Sequence, residues 1–432
     1  MTTQSHQLHR ATEAAQDYPL EAVPGYARRS ALSLALVLTG FTFFTATMWA
    51  GGSIGPAFKL YPDLLSVILI GNLLLGGYAA VLGWMAARSG LNTALMSRFG
   101  FGNVGSKLPD LLLGFTQVGW YAWGTATIAV VLVQMTAIPE SWQTPLMLVF
   151  GFAFCITAYI GYRGLDWLSK TAVPLMIVGL GWSLAIALEA AGGLEGLNAL
   201  RPSTELGLAT ALTMIFGTFA SGATQATNWS RFARSGSAAM VTTLIAFFVG
   251  NGLMVLSGAL TALVYQEPDI VQVLQMQGLV LVGVAMLFLN IWTTQDNTIY
   301  NFSVAGCNFL RVENRRLITV VGAAIGTALA IGGMYDWLVP YLILLGKIIP
   351  PIGGVLMADY FARGGHYPNL GGTGPQQPAF NWGGLIGYAF GVAAAFLPVG
   401  VAPVNAIVAS LVVTLPLVRW LRPELITLRR FS

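Results

Sequence analysis

Gln117 and Trp120 stand three residues apart, and Asn290, Thr293, Thr294 and Asn297 follow at i, i+3, i+4 and i+7. On helices each set shares one face. A carboxamide offers paired donor and acceptor atoms, the geometry that reads the edge of a nucleobase. The flat faces of Trp120 and Phe219 can stack on a planar ring, a contact of about 1–3 kcal/mol per base. Neither set carries a charge, so both suit a neutral, planar solute rich in hydrogen-bonding atoms. Each residue also has an ordinary use, since buried amides stitch helices together and a single Trp anchors a membrane interface. Thr293 and Thr294 add hard, uncharged oxygen ligands of the kind that hold an alkali cation weakly, although a threonine hydroxyl commonly bonds back to its own helix.

Other chemistries lack their residues. His6, His9 and His366 are the only histidines, and all lie in polar segments. No HExxH, GxSxG or Walker A sequence occurs. Gly100-Phe101-Gly102-Asn103-Val104-Gly105 matches the dinucleotide fingerprint letter for letter, but no βαβ unit surrounds it, and it reads as a turn. Cys155 and Cys307 sit in apolar stretches far from any CxxC or Cys/His spacing. Neither an enzyme nor a resident cofactor is expected.

The elements that position these residues must lie in a membrane. Of the 432 residues 56% are apolar and only 9% charged, with mean hydropathy +0.71, where a soluble protein carries about a quarter charged residues. The intervals between charges predict twelve helices of spanning length in an all-α integral membrane protein. Helices 1–5 fall in residues 31–190, helices 6–10 in 205–361 and helices 11 and 12 in 382–421. Residues 1–30 read as a mobile tail, 362–381 as a polar linker and 422–432 as a second tail. Threading the chain through twelve spans puts Lys59 and Arg201 on one side and every other Lys and Arg outside the spans on the opposite side. By the positive-inside rule that crowded side is cytoplasmic, with both termini. The scattered basic residues thus report orientation in a bilayer, not a nucleic-acid polymer as partner. Asp296 and Lys347 are the most deeply embedded charges, able to pair with each other or to sit in a cytoplasmic vestibule.

Two spans mix glycine, hydroxyl and aromatic residues at mid-membrane: Thr39 to Gly52 in the first and Phe216 to Gln225 in the sixth. They occupy corresponding positions in a five-helix repeat. Paired interruptions of this kind point to a transporter's central site, and carbonyls freed near Gly40 and Phe43 could complete a cation cage with Thr293 and Thr294.

The segments Phe41–Gly52, Thr116–Trp120, Asn290–Asn297 and Ile349–Tyr360 closely resemble the nucleobase–cation symporter family. The resemblance implies a LeuT-type fold, a 5+5 inverted repeat with discontinuous helices 1 and 6 plus two C-terminal helices. It also implies sodium-coupled uptake of cytosine by alternating access across a bacterial cytoplasmic (inner) membrane. By position, Trp120 and Phe219 would sandwich the base, and Gln117, Ser221 and Asn290 would bond its polar edge. Sodium would lie among the carbonyls of Gly40, Phe43 and Asn290 and the hydroxyls of Thr293 and Thr294. Asn228 and the neighbouring Thr224-Gln225 depart from a relative's pattern, which places an acidic residue at the position of Asn228. Alternatives are proton coupling, a different nucleobase, a hydantoin, a thiamine-precursor pyrimidine, or a membrane sensor that binds a base without moving it.

Overall fold

The computed structural model describes residues 17–136, 138–367 and 377–421. Among them the regular structure is helical, with one isolated β-bridge between Arg29 and Ala233. The helices that carry the site are α1 (Ala31–Thr42), α2 (Thr45–Ile54), α3 (Leu65–Ser89), α4 (Lys107–Met135), α5 (Tyr162–Ala190), α6 (Leu208–Thr218) and α7 (Ala220–Thr224). They are followed by α8 (Thr227–Ser230), α9 (Gly236–Ile245), α10 (Asn251–Tyr265), α11 (Val280–Leu310), α12 (Arg315–Ile331), α13 (Leu338–Ile348) and α14 (Pro350–Ala362). Last come α15 (Trp382–Ala395) and α16 (Ala402–Leu421).

Seven helical stretches among the described residues are long and apolar enough to cross a membrane: Leu60–Ser89, Lys107–Met135, Glu140–Ile160, Tyr162–Ala190, Gly236–Tyr265, Pro340–Ala362 and Ala402–Leu421. Two pairs qualify when joined across a short break. Ala31–Thr42 with Thr45–Ala57 is bent by 56°, and Val280–Leu310 with Arg315–Ile331 by 115°. The α6 and α15 helices are apolar but shorter. Polarity is arranged for lipid rather than water. Leu69, Phe115, Val178, Leu281, Phe390 and Val412 are exposed, whereas Gln117, Asn290, Thr293, Thr294 and Asp296 are buried.

Close backbone approach explains several glycines. A Cβ on Gly51 of α2 would lie 2.1 Å from the Val255 carbonyl of α10, and one on Gly258 of α10 would lie 1.9 Å from the Met48 carbonyl. Small residues thus let α2 and α10 pack backbone to backbone. The Gly100–Gly105 segment is a turn clasped by the 378–381 segment: Asn103 N–H donates to the Pro378 carbonyl at 2.8 Å, and Asn381 N–H to the Phe101 carbonyl at 2.8 Å.

The segment Asp17–Arg29, expected as part of a mobile tail, is instead docked. The Tyr162 N–H donates to Asp17 Oδ2 at 2.9 Å, and the Arg315 guanidinium lies 3.7 Å from the same oxygen. Arg231 donates to the carbonyls of Tyr18 and Asp17, both at 2.7 Å. Arg28 reaches the carbonyls of Ala87, Arg231 and Ala233. These partners lie 59 to 298 residues away, so no local pattern announces them. Burial pushes the Asp17 carboxyl above the usual carboxylate range, against the pull of Arg315, the Tyr162 N–H, Arg231 and Arg29. A folded-state pKa above the unfolded one favours the folded state at low pH, and that contribution is lost as pH rises through the folded value. Asp17→Ala, which leaves the Tyr162 N–H without its acceptor, is expected to cost about 1–3 kcal/mol. Asp17→Asn keeps an acceptor without the buried charge and should cost less. Thermal unfolding of the two variants checks this, and a midpoint for Asp17→Ala equal to the parent's would remove the role given to this contact.

Candidate functional site

The first break falls between α1 and α2. The α1 ladder closes with Phe43 N–H donating to the Thr39 carbonyl at 2.9 Å, after which Phe43 (φ −77°, ψ 91°) and Phe44 (φ −133°, ψ 131°) are extended. Extended backbone takes carbonyls out of the helical ladder and makes them available to other groups. The Thr294 hydroxyl of α11 lies 3.2 Å from the Phe41 carbonyl, 3.1 Å from that of Phe43 and 3.2 Å from that of Asn290. The Thr293 hydroxyl lies 3.1 Å from the carbonyls of Leu289 and Asn290. Neutral carbonyl and hydroxyl oxygens therefore converge where the unwound chain meets α11. Among the described residues no group of three His, Cys, Asp or Glu side chains gathers as a metal site. An oxygen set without full charge fits a weakly held, hard monovalent cation better than a transition metal.

The glycines of the first span are not where it breaks. A Cβ on Gly40 would lie 2.8 Å from Ser169 Oγ, so Gly40 marks close packing of α1 on α5. It is the Phe41 carbonyl, one residue on, that hydrogen-bonds with Thr294. In the sixth span the chain leaves helical geometry at Phe219 (φ −132°, ψ 23°) and again at Gln225 (φ −95°, ψ 6°), which separates α6, α7 and α8. The flanking glycines again mark close contacts. A Cβ on Gly217 would meet the Leu342 carbonyl at 2.6 Å, and one on Gly222 the Phe41 ring at 2.6 Å.

Between the two breaks lies a small cavity lined by Phe41, Phe44, Gln117, Trp120, Thr218, Phe219, Ser221, Gly222, Thr294 and Thr298. Every lining side chain is at most 4% exposed, and none is ionisable. Gln117, Trp120, Phe219 and Ser221 are thus brought together. Phe44 touches both aromatic candidates edge-on, with centroids 5.5 Å from Trp120 and 6.2 Å from Phe219. Both polar atoms of the Gln117 carboxamide are buried without a hydrogen-bond partner. Each such atom costs about 1–3 kcal/mol unless something in the cavity bonds it.

Asn290 stands apart. Its side-chain Oδ1 accepts from Thr45 Oγ1 at 2.7 Å and its Nδ2 lies 3.9 Å from the Met254 sulfur, so the amide ties α11 to α2 and α10 rather than lining the cavity. Its carbonyl is what faces Thr293 and Thr294. Thr298 was not singled out from sequence, although it stands four residues after Thr294 and continues the same helical stripe. Phe41 and Phe44 were legible only as part of an aromatic run. Asp296 and Lys347 do not pair: Asn297 Nδ2 donates to Asp296 Oδ1 at 2.9 Å, while the Lys347 ammonium lies 4.4 Å from the Phe396 ring centroid. Asn228 donates to Asn301 Oδ1 at 2.7 Å and accepts from Arg231 Nε through its carbonyl at 3.1 Å.

Comparison with known proteins places this geometry. A family model described as permease for cytosine/purines, uracil, thiamine, allantoin matches residues 22–421. The chain is 38% identical over 388 residues to the cytosine permease of Escherichia coli strain K12, covering 90% of this chain and 91% of that protein. Among solved structures it resembles Mhp1, a nucleobase-cation-symport-1 family transporter, in a closed conformation with bromovinylhydantoin bound. There the TM-score is 0.83 at 19% identity, over 94% of this chain and 95% of that one. The inward-facing conformation of Mhp1 matches less closely, at TM-score 0.77 and 18% identity over 94% of each chain.

Proposed function

The chain belongs to the family of permeases for cytosine/purines, uracil, thiamine and allantoin, and from that membership we propose that it is a sodium-coupled cytosine importer of a bacterial inner membrane. One observation carries the substrate reading: a buried, uncharged cavity lined by the aromatic side chains of Trp120 and Phe219 also holds the unpartnered Gln117 carboxamide. Cytosine presents a donor and acceptors along one planar edge and two flat faces, which is what this set complements. Ser221 also lines the cavity and supplies a further hydroxyl. The relatedness to a cytosine permease supports cytosine among the substrates of the family.

Sodium is the coupling ion in this reading. The carbonyls of Phe41, Phe43 and Asn290 with the hydroxyls of Thr293 and Thr294 would hold it, next to the cavity through Phe41 and Thr294. The ion supplies driving force only: one elementary charge moving through 100 mV releases about 2.3 kcal/mol, enough to concentrate a neutral solute roughly fiftyfold. Binding at the α1/α2 break orders Phe41 to Phe44, and Phe41 and Phe44 line the cavity, so ion and base favour each other's binding. Release then follows a change in which side the cavity faces. No covalent step is involved.

The twelve-span topology with cytoplasmic termini belongs to the same proposal. The seven long stretches, the bent α1/α2 span, α11 and α12 as separate crossings, the interrupted α6 to α8 span and α15 together make that number. Uptake of labelled cytosine into proteoliposomes, with sodium and proton gradients imposed separately, tests ion and cargo together. Accumulation is expected with an inward sodium gradient and not with a proton gradient alone. Accumulation without sodium would reject the cation site, and saturable cytosine binding without flux would favour a sensor.

A further inference from the structure

A single buried carboxamide joins four helices beside the two breaks. Asn251, the first residue of α10, is fully buried, as are Thr47 of α2, Thr218 of α6 and Asn72 of α3. Its Oδ1 accepts from Thr47 Oγ1 at 3.1 Å, and its Nδ2 donates to Asn72 Oδ1 at 2.8 Å. Thr218 Oγ1 lies 3.2 and 3.3 Å from the amide nitrogen and oxygen. Asn72 is itself oriented by donating Nδ2 to the Ile68 carbonyl at 2.8 Å, which fixes which atom it presents to Asn251. Thr47 sits three residues past the first break and Thr218 immediately before the second. Thr218 also lines the cavity.

The backbone just before Asn251 adds an independent observation. Ala246–Gly250 is a π-helical turn between α9 and α10. Such wide turns free carbonyls from the i, i+4 ladder and recur at functional sites. The Ala246 carbonyl accepts from Thr42 Oγ1 at 3.0 Å, and Thr42 is the last residue of α1. The same irregular turn and the residue that follows it therefore hold the first broken span on both sides of its break, at Thr42 and at Thr47, and hold the second break at Thr218.

We propose that Asn251 is a positioning residue that clamps both helix breaks in register, so that the cation-binding carbonyls and the cavity wall keep one geometry. Asn251 touches neither the cavity nor the converging carbonyls; it acts through Thr47 and Thr218. The proposal rests on the reading of the cavity as the substrate site for its effect on transport, but not for its effect on the backbone.

Two readouts separate these. Hydrogen exchange of the purified full chain is expected to show that Asn251→Leu, of similar size and without the amide, speeds exchange roughly tenfold or more at residues 42–47 and 217–226 together. Exchange faster only around residues 246–255 would overturn the clamp. Should Asn251→Leu fail to fold, Thr47→Val and Thr218→Val remove one arm each at nearly constant shape, and the same paired response at both breaks is expected from each. In equilibrium binding, Thr47→Val is expected to weaken cytosine binding about fivefold and to shift the sodium dependence in the same direction, the scale of one lost buried hydrogen bond. A lowered thermal midpoint with cytosine and sodium affinities unchanged would reduce the network to ordinary scaffold and reject the proposal. If the parent chain bound no cytosine, the transport reading would fail while the exchange result still decided the clamp.

Discussion

Trp120→Ala is expected to weaken cytosine binding about 5- to 150-fold, the equivalent of one lost base stack of about 1–3 kcal/mol. The indole is held before any ligand arrives. Its ring meets Tyr341 at 5.2 Å, Phe44 at 5.5 Å and Trp123 at 6.5 Å, all in steep edge contacts. Tyr341 is fixed in turn by donating to the Thr116 carbonyl at 2.6 Å, and Gly119 leaves it room: a Cβ there would lie 2.4 Å from the Tyr341 hydroxyl. A ring fixed in this way loses little rotamer freedom on binding, so more of the stacking energy remains as affinity. Trp120→Phe keeps a smaller flat face and should fall between the parent and the alanine variant. Equilibrium binding on purified protein at fixed sodium checks the order, and equal affinities across the three would remove Trp120 from the site.

Thr294→Val is expected to raise the sodium concentration for half-maximal uptake by roughly 10- to 100-fold, the range found when groups that support a metal site are removed. Valine preserves the shape of threonine and deletes only the hydroxyl that the structure places within 3.2 Å of the Phe41, Phe43 and Asn290 carbonyls. Because Thr294 also lines the cavity, a rise in cytosine KM that disappears at saturating sodium identifies a cation effect. Uptake by Thr294→Val with an unchanged sodium dependence would place the ion elsewhere.

Much of the candidate site was legible because helical spacing is local. Gln117 with Trp120, and Asn290, Thr293 and Thr294, fall on faces that any helix would impose. The coincidence of two interrupted spans in corresponding positions gave the place where those faces meet. What was not legible depended on distant partners or on dihedral angles. Glycine marked both interrupted spans, yet the chain unwinds at Phe43–Phe44 and at Phe219, while Gly40, Gly51 and Gly217 admit neighbouring helices. Asn290 was a good candidate by type and spacing, but Thr45 takes its side-chain oxygen. Asn251 lies in a long apolar run and shows no periodicity of its own; its partners Thr47 and Asn72 are 204 and 179 residues away. Docking of Asp17–Arg29 escaped notice for the same reason, since polar composition is read as solvated unless distant Arg231 and Arg315 are known to wait for it.

Site-directed labelling at Thr298 addresses the claim on which the rest stands, that cytosine binds with sodium in the cavity between the two breaks. With Cys155 and Cys307 replaced by alanine, Thr298→Cys puts one thiol on the cavity wall. Cytosine is expected to slow its reaction with a small thiol reagent at least tenfold in sodium and hardly at all when choline replaces sodium. A labelling rate that stays constant while cytosine demonstrably binds would contradict the assignment of the site.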